Sequence, residues 1–343
     1  MSMFSRLVRW LQPLFLCLAA LAIAWFLRSH WAALRAYPWQ IDAGWLAASA
    51  LLLLLSWALE VAIWRHLLRL VGGGLSYAQA LRIWFLSAVV RYIPGNIWQP
   101  LSMTLYCRRY GVAPEATLTS IAFYQALILL AAAPMAAAYL LWAGHNSLVA
   151  QGLAAIPPAL AWLLLLPATL FLLRPQALTA AMNWALVRLG RAPLHARLTS
   201  PALLALILAA ILDWLLWGAT FAALVFGVAA IDSGAERAAL APLLIISYPI
   251  AYAAGFLSLI TPSGFGVREG AFYLLLVPRL DGAVVTVVAL AMRVWTTLGE
   301  LLLALASAPF ERPRRTPAPQ FVSALAERPA DRTGDAELHR NLT

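Results

Sequence analysis

Residues 43–64 read AGWLAASALLLLLSWALEVAIW, and this stretch decides the fold. Its only ionisable side chain is Glu60. An α-helix of about 20 apolar residues is long enough to cross the ~30 Å hydrocarbon core of a bilayer. The stretch therefore predicts a membrane-spanning helix.

The composition of the whole chain agrees with this prediction. Of the 343 residues, 63% are hydrophobic and 11% are charged, and the mean hydropathy is +0.82. These values are too apolar for a soluble globular domain and predict an all-α polytopic membrane protein. All 24 basic residues are arginine, which excludes lysine-based catalysis. Most arginines lie between apolar runs, as the positive-inside rule expects, so the net charge of +10 does not indicate a nucleic-acid partner.

The apolar runs and the arginines between them define a topology. Loops 65–82 and 174–200 carry arginines and no acid, so we expect them to be cytoplasmic. A short extra crossing at 266–278, tilted or partly re-entrant, brings the total to about eight transmembrane helices with both termini cytoplasmic. The expected location is a bacterial inner membrane. Seven long runs support this count: 11–28, 43–64, 117–142, 150–173, 201–229, 241–260 and 283–309.

Two further segments differ from the spans. Residues 176–190 have the pattern of an amphipathic helix at the membrane surface. Residues 310–343 are rich in proline and mixed charge and predict a disordered cytoplasmic tail after the transmembrane domain, residues 1–309.

Two breaks interrupt the apolar sequence, YIPGN at 92–96 and TPSGFGVREG at 261–270. Irregular backbone inside a bilayer is tolerated only where protein buries it or where it lines a wet cavity. A short apolar piece, a polar hinge and a long span follow each break, which suggests an internal repeat. The first break predicts a hairpin at 79–110 that enters from the cytoplasmic side.

Paired broken helices are typical of transport sites, because the N-termini of half-helices face the ligand. Asn96 and Thr261 are candidate N-caps of the helices that follow the breaks. Arg91 and Arg268 lie close by in sequence, so the predicted ligand is an anion, namely a lipid phosphate. The structural alternatives are that Arg91 reaches the interface and that Arg268 and Glu269 form an ion pair.

Four ionisable residues lie inside the long spans, where such residues are rare and usually partnered. They are Glu60, Asp213, Arg293 and Glu300. Arg293 with Asp213 and Arg268 with Glu300 are plausible pairs, although sequence does not fix them. Glu60 fits the cytoplasmic interface. A proton relay for coupled transport is a further alternative.

Metal and cofactor sites have little support. The two cysteines and five histidines are scattered without the spacing of a metal site. Gly264, Gly266 and Gly270 form GxGxxxG, but no strand precedes them, so we reject a dinucleotide fingerprint. We expect no metal and no cofactor.

Four motifs together resemble one family: RYIPGNIWQP at 91–100, RRYGVAPEATLTSIAFYQ at 108–125, SYP at 247–249 and TPSGFGVREGAF at 261–272. They resemble the lysylphosphatidylglycerol synthase transmembrane-region family, the flippase-like domain of the multiple peptide resistance factor and its stand-alone relatives. The resemblance covers about residues 10–309. It implies two re-entrant segments that meet inside the bilayer and translocation of charged or glycosylated lipids, in glycolipid, polyprenyl-lipid or hopanoid pathways.

The same resemblance implies functional roles for the motif residues. These are Pro94, Gly95, Gly264, Gly266, Arg268 and Glu269. Many relatives have a glycine and an acid after the first Pro-Gly, where this chain has Trp98 and Gln99. This difference bears on whether the chain recognises the same lipid headgroup as those relatives. We expect no synthase domain after the last span, and hence no synthesis of lysyl lipid by this chain.

The sequence thus predicts a non-enzymatic lipid translocase that moves an anionic or glycosylated headgroup. Expected partners are a phospholipid, polyprenyl-phosphate or hopanoid-type lipid and a separate synthase or glycosyltransferase. The alternatives are an enzyme acting on lipid phosphates and an accessory subunit of a lipid or glycan synthase. No residue is predicted to be catalytic, and the predicted substrate-binding residues are Arg91, Pro94, Gly95, Asn96, Trp98, Asp213, Gly264, Gly266, Arg268, Glu269, Arg293 and Glu300.

Overall fold

The structure is a computed structural model of the chain. It describes residues 37–92, 98–142, 158–188, 198–258 and 264–307, together with Arg28, Trp31 and Arg35. Within these ranges every regular element is a helix, as the sequence predicted. The first predicted span (apart from Arg28) and the predicted tail lie outside the described residues.

The described part of the chain contains ten α-helices. Five of them, each of 24 to 29 residues, are long and apolar enough to cross a membrane: α1, α4, α7, α8 and α10. They confirm five of the predicted spans. The helices are α1 Ala43–Leu70, α2 Tyr77–Ala88, α3 Trp98–Arg108, α4 Pro114–Trp142, α5 Leu166–Leu173, α6 Pro175–Arg188, α7 Ser200–Val228, α8 Gly234–Leu257, α9 Val267–Leu276 and α10 Gly282–Ser307.

Helix α7 lies at the centre of the bundle and packs against α1, α8 and α4. Polar side chains join these helices through backbone carbonyls. Ser49 in α1 donates a hydrogen bond to the Thr220 carbonyl at 2.9 Å, and the Trp214 indole donates to the Ile128 carbonyl in α4 at 2.8 Å. Such interhelical hydrogen bonds support association where lipid supplies no hydrophobic driving force.

The predicted span at 150–173 is followed by a sharp turn. A 3-10 helix, Pro158–Leu165, continues into α5, and α6 then departs at 99° from the direction of residues 162–173. Pro175 begins α6, where proline fits because the first helical N–H needs no partner. Helix α6 occupies the position of the predicted surface helix and runs nearly perpendicular to the segment before it.

Each break in the sequence is followed by a short helix. Helix α2 ends in a 3-10 turn, Val89–Tyr92, and α3 follows with 11 residues. Helix α8 ends at Leu257, and α9 follows with 10 residues. A hinge then leads from α3 into α4 and from α9 into α10. This repeated order of elements is the one that the sequence suggested.

The predicted extra crossing at 266–278 contains one short helix, α9. At 1.5 Å per residue, α9 is about 15 Å long, roughly half of the hydrocarbon thickness. The helix begins only after Gly264 and Gly266, whose φ angles of 68° and 85° do not belong to a right-handed helix. Asp281 then caps the start of α10 by accepting from the Ala283 N–H at 2.8 Å.

The contact between α7 and α8 depends on Gly218. A Cβ atom added there would collide with the backbone carbonyl of Ile245 in α8. Gly218→Ala should therefore push the two helices apart and destabilise the protein by about 1 to 3 kcal/mol, the usual range for overpacking. Thermal unfolding of the detergent-purified protein measures this.

Gly234→Ala is the matched control, because no atom lies within 4 Å of a Cβ added there. An unchanged melting temperature for Gly218→Ala would contradict the close helix approach.

Candidate functional site

The second break brings loop backbone directly against α8. A Cβ atom added to Gly264 would lie 2.8 Å from the Cα atom of Gly255, so no larger residue fits at this contact. One added to Gly255 would lie 3.3 Å from the Cβ atom of Arg268. The two glycines thus set the position of Arg268 relative to α8. Thr261 and Pro262, the predicted cap and first residue of the following helix, lie outside the described residues.

Glu269 has two structural roles. Its Oε2 atom accepts a hydrogen bond from the Gly266 N–H at 2.6 Å, which caps α9, and its Oε1 atom accepts one from Arg293 Nε at 2.7 Å. The side chain is 6% exposed. Glu269 therefore joins the start of α9 to α10. The sequence predicted free N–H groups at this helix start, but the carboxylate of Glu269 takes the N–H of Gly266.

Arg268 has a different environment from its neighbour. Its guanidinium carbon lies 4.6 Å from the ring centre of Tyr248, 5.8 Å from that of Tyr252 and 5.9 Å from that of Phe272. Among the described residues, no carboxylate lies within ion-pair distance of Arg268. Aromatic faces stabilise a cation without neutralising its charge. Arg268 is partly exposed, so this charge is accessible to an anion.

Arg91 joins the first broken segment to α10. Its Nη2 atom donates to Glu300 Oε1 at 2.8 Å, and the two side chains are 31% and 5% exposed. Arg91 is thus held by an ion pair with Glu300 of α10, in contrast to the alternative in which its side chain extends to the membrane surface. The suggested pairs of Arg268 with Glu300 and of Arg293 with Asp213 do not form.

Asp213 and Glu60 receive hydrogen bonds from neutral donors. Ser56 Oγ donates to Asp213 Oδ1 at 2.7 Å, and the Tyr124 hydroxyl donates to Glu60 Oε1 at 2.8 Å. Asp213 is 2% exposed. Within the described ranges, neither carboxylate has an arginine within ion-pair distance. Because Ser56 and Glu60 are one helical turn apart on α1, the two acids lie in one region.

Tyr252 in α8 connects these groups. Its hydroxyl lies beside the side chain of Gln125 in α4 and within electrostatic range of Glu60, Arg91 and Arg268. Arg91 and Arg268, one from each broken segment, therefore both act electrostatically on this tyrosine. In the described part of the chain, no three His, Cys, Asp or Glu side chains are grouped to hold a metal ion.

A family profile described as Lysylphosphatidylglycerol synthase TM region matches residues 10–304. The chain belongs to this family. A search of curated proteins found no match. Membership in this membrane-domain family agrees with the apolar helices and identifies a multi-pass membrane protein.

Of the predicted site residues at and after the first break, the structure describes only Trp98. Pro94, Gly95 and Asn96 belong to residues that the structure does not describe, so their roles stay predictions. Trp98 is the first residue of α3, and its side chain is 39% exposed.

Sequence reasoning missed the aromatic and amide side chains of the site. They lie inside long apolar spans, where tyrosine and glutamine are easily taken for interfacial or packing residues. For Tyr124, Gln125, Tyr248 and Phe272 the available signal was their presence in the family motifs, whereas Ser56 and Tyr252 lie outside those motifs. The missed residues are Ser56, Tyr124, Gln125, Tyr248, Tyr252 and Phe272.

The two roles of Glu269 are separable by mutation. Glu269→Gln keeps an oxygen that can accept from the Gly266 N–H but removes the charge that faces Arg293. Glu269→Ala removes both, so it should lower stability by about 1 kcal/mol more than Glu269→Gln, the usual value of an N-cap. Melting temperatures of the two purified variants check this, and equal values would refute the capping role.

The ion pair between Arg91 and Glu300 predicts rescue by charge exchange. Arg91→Glu or Glu300→Arg alone should destabilise the protein by about 3 to 5 kcal/mol, because each brings like charges together at a buried position. The double variant should recover at least half of the lost melting temperature. Arg279→Glu, at an exposed position, controls for net charge. If the single effects simply add in the double variant, the pair does not form.

Proposed function

We propose that the protein is a lipid translocase of the bacterial inner membrane. It moves an anionic or glycosylated headgroup through the interior region around Tyr252, with both termini in the cytoplasm and without chemical change to the lipid. A separate synthase or glycosyltransferase supplies or uses the lipid. Family membership supports a role connected with membrane lipids.

The environment of Arg268 carries this proposal. The other two arginines of the site have acidic partners, Glu300 for Arg91 and Glu269 for Arg293. Among the described residues, Arg268 lies against three aromatic rings and beside the Tyr248 hydroxyl, with no carboxylate at ion-pair distance, so it is the cation best placed to bind an incoming phosphate. A guanidinium suits this role because it stays charged and binds phosphate oxygens in a bidentate manner.

The position of Arg91 adds a second step. It lies near the same tyrosine as Arg268, and it is the more exposed partner of its ion pair. In this proposal a phosphate bound at Arg268 next passes to Arg91. The headgroup then moves between two cations that belong to the two broken segments, which is the arrangement expected of a transporter with paired interrupted helices.

The decisive experiment uses proteoliposomes. The purified protein is reconstituted with fluorescent phosphatidylglycerol, and lipid in the outer leaflet is bleached with dithionite. Arg268→Gln should reduce the rate of translocation at least about tenfold, the usual effect of losing a charged hydrogen bond. Arg268→Lys should retain part of the rate, because lysine keeps the charge but not the planar group.

Arg279→Gln is the matched control, since this arginine follows α9 and is exposed. An accessory subunit would tolerate Arg268→Gln and move no lipid. An enzyme would release or alter the headgroup, which chromatography of the recovered lipid detects. A wild-type protein that translocates neither phosphatidylglycerol nor a polyprenyl-phosphate lipid contradicts the proposal.

A further inference from the structure

Asp213 in α7 and Glu60 in α1 are acids that the proposed function leaves without a role. Asp213 is 2% exposed and accepts a hydrogen bond from Ser56 Oγ, and Glu60 accepts one from the Tyr124 hydroxyl. Among the residues that the structure describes, no arginine lies within ion-pair distance of either acid. An ionised carboxylate that leaves water without meeting a cation is costly, and such a group binds a proton instead.

The hydrogen-bond partners of these acids differ from those of Glu269 and Glu300. Glu269 and Glu300 accept from arginines and from a backbone N–H, which are donors only and therefore favour an ionised carboxylate. A hydroxyl group can donate to a carboxylate and can also accept from a carboxylic acid. Ser56 and Tyr124 are therefore suitable partners for acids that change their protonation state.

Asp213 and Glu60 also act on each other. Ser56, the partner of Asp213, lies one helical turn before Glu60 on the same face of α1, and the two carboxyl groups interact electrostatically. Like charges in one region disfavour each other, so a proton on either acid relieves the repulsion. Glu60 is partly exposed, so a proton can reach the pair through it.

Charged and titratable side chains from four further elements face this pair. Arg91 attracts Glu60 but forms its ion pair with Glu300, and Glu300 repels Glu60. The pair therefore has no cation of its own. Among the described residues, the groups that face the pair are Tyr124 from α4, Arg91 from the 3-10 turn after α2, Tyr248 and Tyr252 from α8 and Glu300 from α10.

The same acids are connected to the proposed phosphate site. Glu60 and Arg268 both act electrostatically on the hydroxyl groups of Tyr248 and Tyr252. A phosphate at Arg268 would bring negative charge to tyrosines that Glu60 also faces. Because two anions repel each other, protonation of one strengthens binding of the other, and this linkage is reciprocal.

We propose that Asp213 and Glu60 form a proton-binding site and that the lipid anion crosses the membrane together with a proton. This inference rests on the proposed function and adds its coupling ion. The pair takes up a proton from water when the phosphate binds at Arg268, and it returns the proton to water on the side where the lipid leaves. A phosphodiester carries a single negative charge, so its movement with a proton transfers no net charge.

The test measures translocation against the pH of the liposome lumen. The external pH is constant, so that dithionite reacts equally in every sample, and the lumen is more acidic than the outside, equal to it or more alkaline. Dithionite reports fluorescent phosphatidylglycerol that moves outward. A lumen more acidic by one pH unit should accelerate this movement in wild type by about three- to tenfold, ten being the factor that one pH unit represents. A proton ionophore should abolish the difference.

Two variants assign the effect to the pair. Asp213→Asn and Glu60→Gln keep an oxygen that accepts from the neighbouring hydroxyl but cannot bind a proton at neutral pH, so the ratio of the rates with acidic and equal lumen should fall to about one. Asp232→Asn is the matched control, because Asp232 is exposed, and it should keep the wild-type ratio. Either interior variant suffices if the other does not fold.

A second measurement needs no variant. Purified wild type in weakly buffered detergent at neutral pH is titrated with phosphatidylglycerol, whose phosphodiester stays ionised, while an indicator dye follows the pH. Binding should remove protons from the solution in proportion to the lipid bound, because the linked acids become protonated.

Four results would overturn the inference. They are a translocation rate that ignores luminal pH, a rate that rises with an alkaline lumen, lipid binding without proton uptake, and an unchanged ratio in a folded interior variant. The proposed function is tested separately by the sample without a gradient. If phosphatidylglycerol moves there, the translocase stands and only its coupling is at stake. If no lipid moves with or without a gradient, both fail.

Discussion

Ionised side chains inside a bilayer need opposite charge or hydrogen bonds, because an unmatched one at the centre of a helix costs about 2.5 to 3.5 kcal/mol on insertion scales. The arrangement of the short helices follows from this constraint. Glu269 is buried, and it is stabilised both by an N–H of its own helix start and by Arg293 from α10. Glu300 is equally buried and is stabilised by Arg91. The two pairs fix the start of α9 and the 3-10 turn after α2, and so position both broken segments.

Apart from these two ion pairs, the other ionisable side chains of the interior have neutral partners of different kinds. Arg268 is surrounded by aromatic faces, whereas Asp213 and Glu60 receive hydrogen bonds from hydroxyl groups. Cation–π contacts keep a guanidinium in place without neutralising its charge. The interior therefore holds the cation Arg268 at α9 together with the acids Glu60 and Asp213 at α1 and α7. Buried charged groups without an ionic partner lower stability, so this distribution is more easily explained by binding of a polar ligand than by a contribution to stability.

The long helices could be predicted from sequence because one property, about 20 apolar residues in a row, is sufficient for a spanning helix. The breaks were equally visible, since Pro-Gly and Gly-x-Gly interrupt apolar runs. The ion pairs could not be predicted. Arg91 and Glu300 are 209 positions apart, so only the packing of the 3-10 turn after α2 against α10 brings them together. The capping role of Glu269 is local and was readable from its position three residues after Gly266, but its charge suggested a binding role instead. Tyr252 and Gln125 have no charge, and within an apolar span they gave no sign of their shared location.

Helix α10 contributes one residue to each ion pair, Arg293 to the second broken segment and Glu300 to the first. These residues are seven positions apart, about two turns or ~10.5 Å along one face. Both discontinuous segments are thus anchored to the same rigid body, at two heights. If α10 rotates or slides, the strain reaches both segments at once, and neither can move far while its anchor is intact. A displacement of α10 would therefore act on both broken segments together.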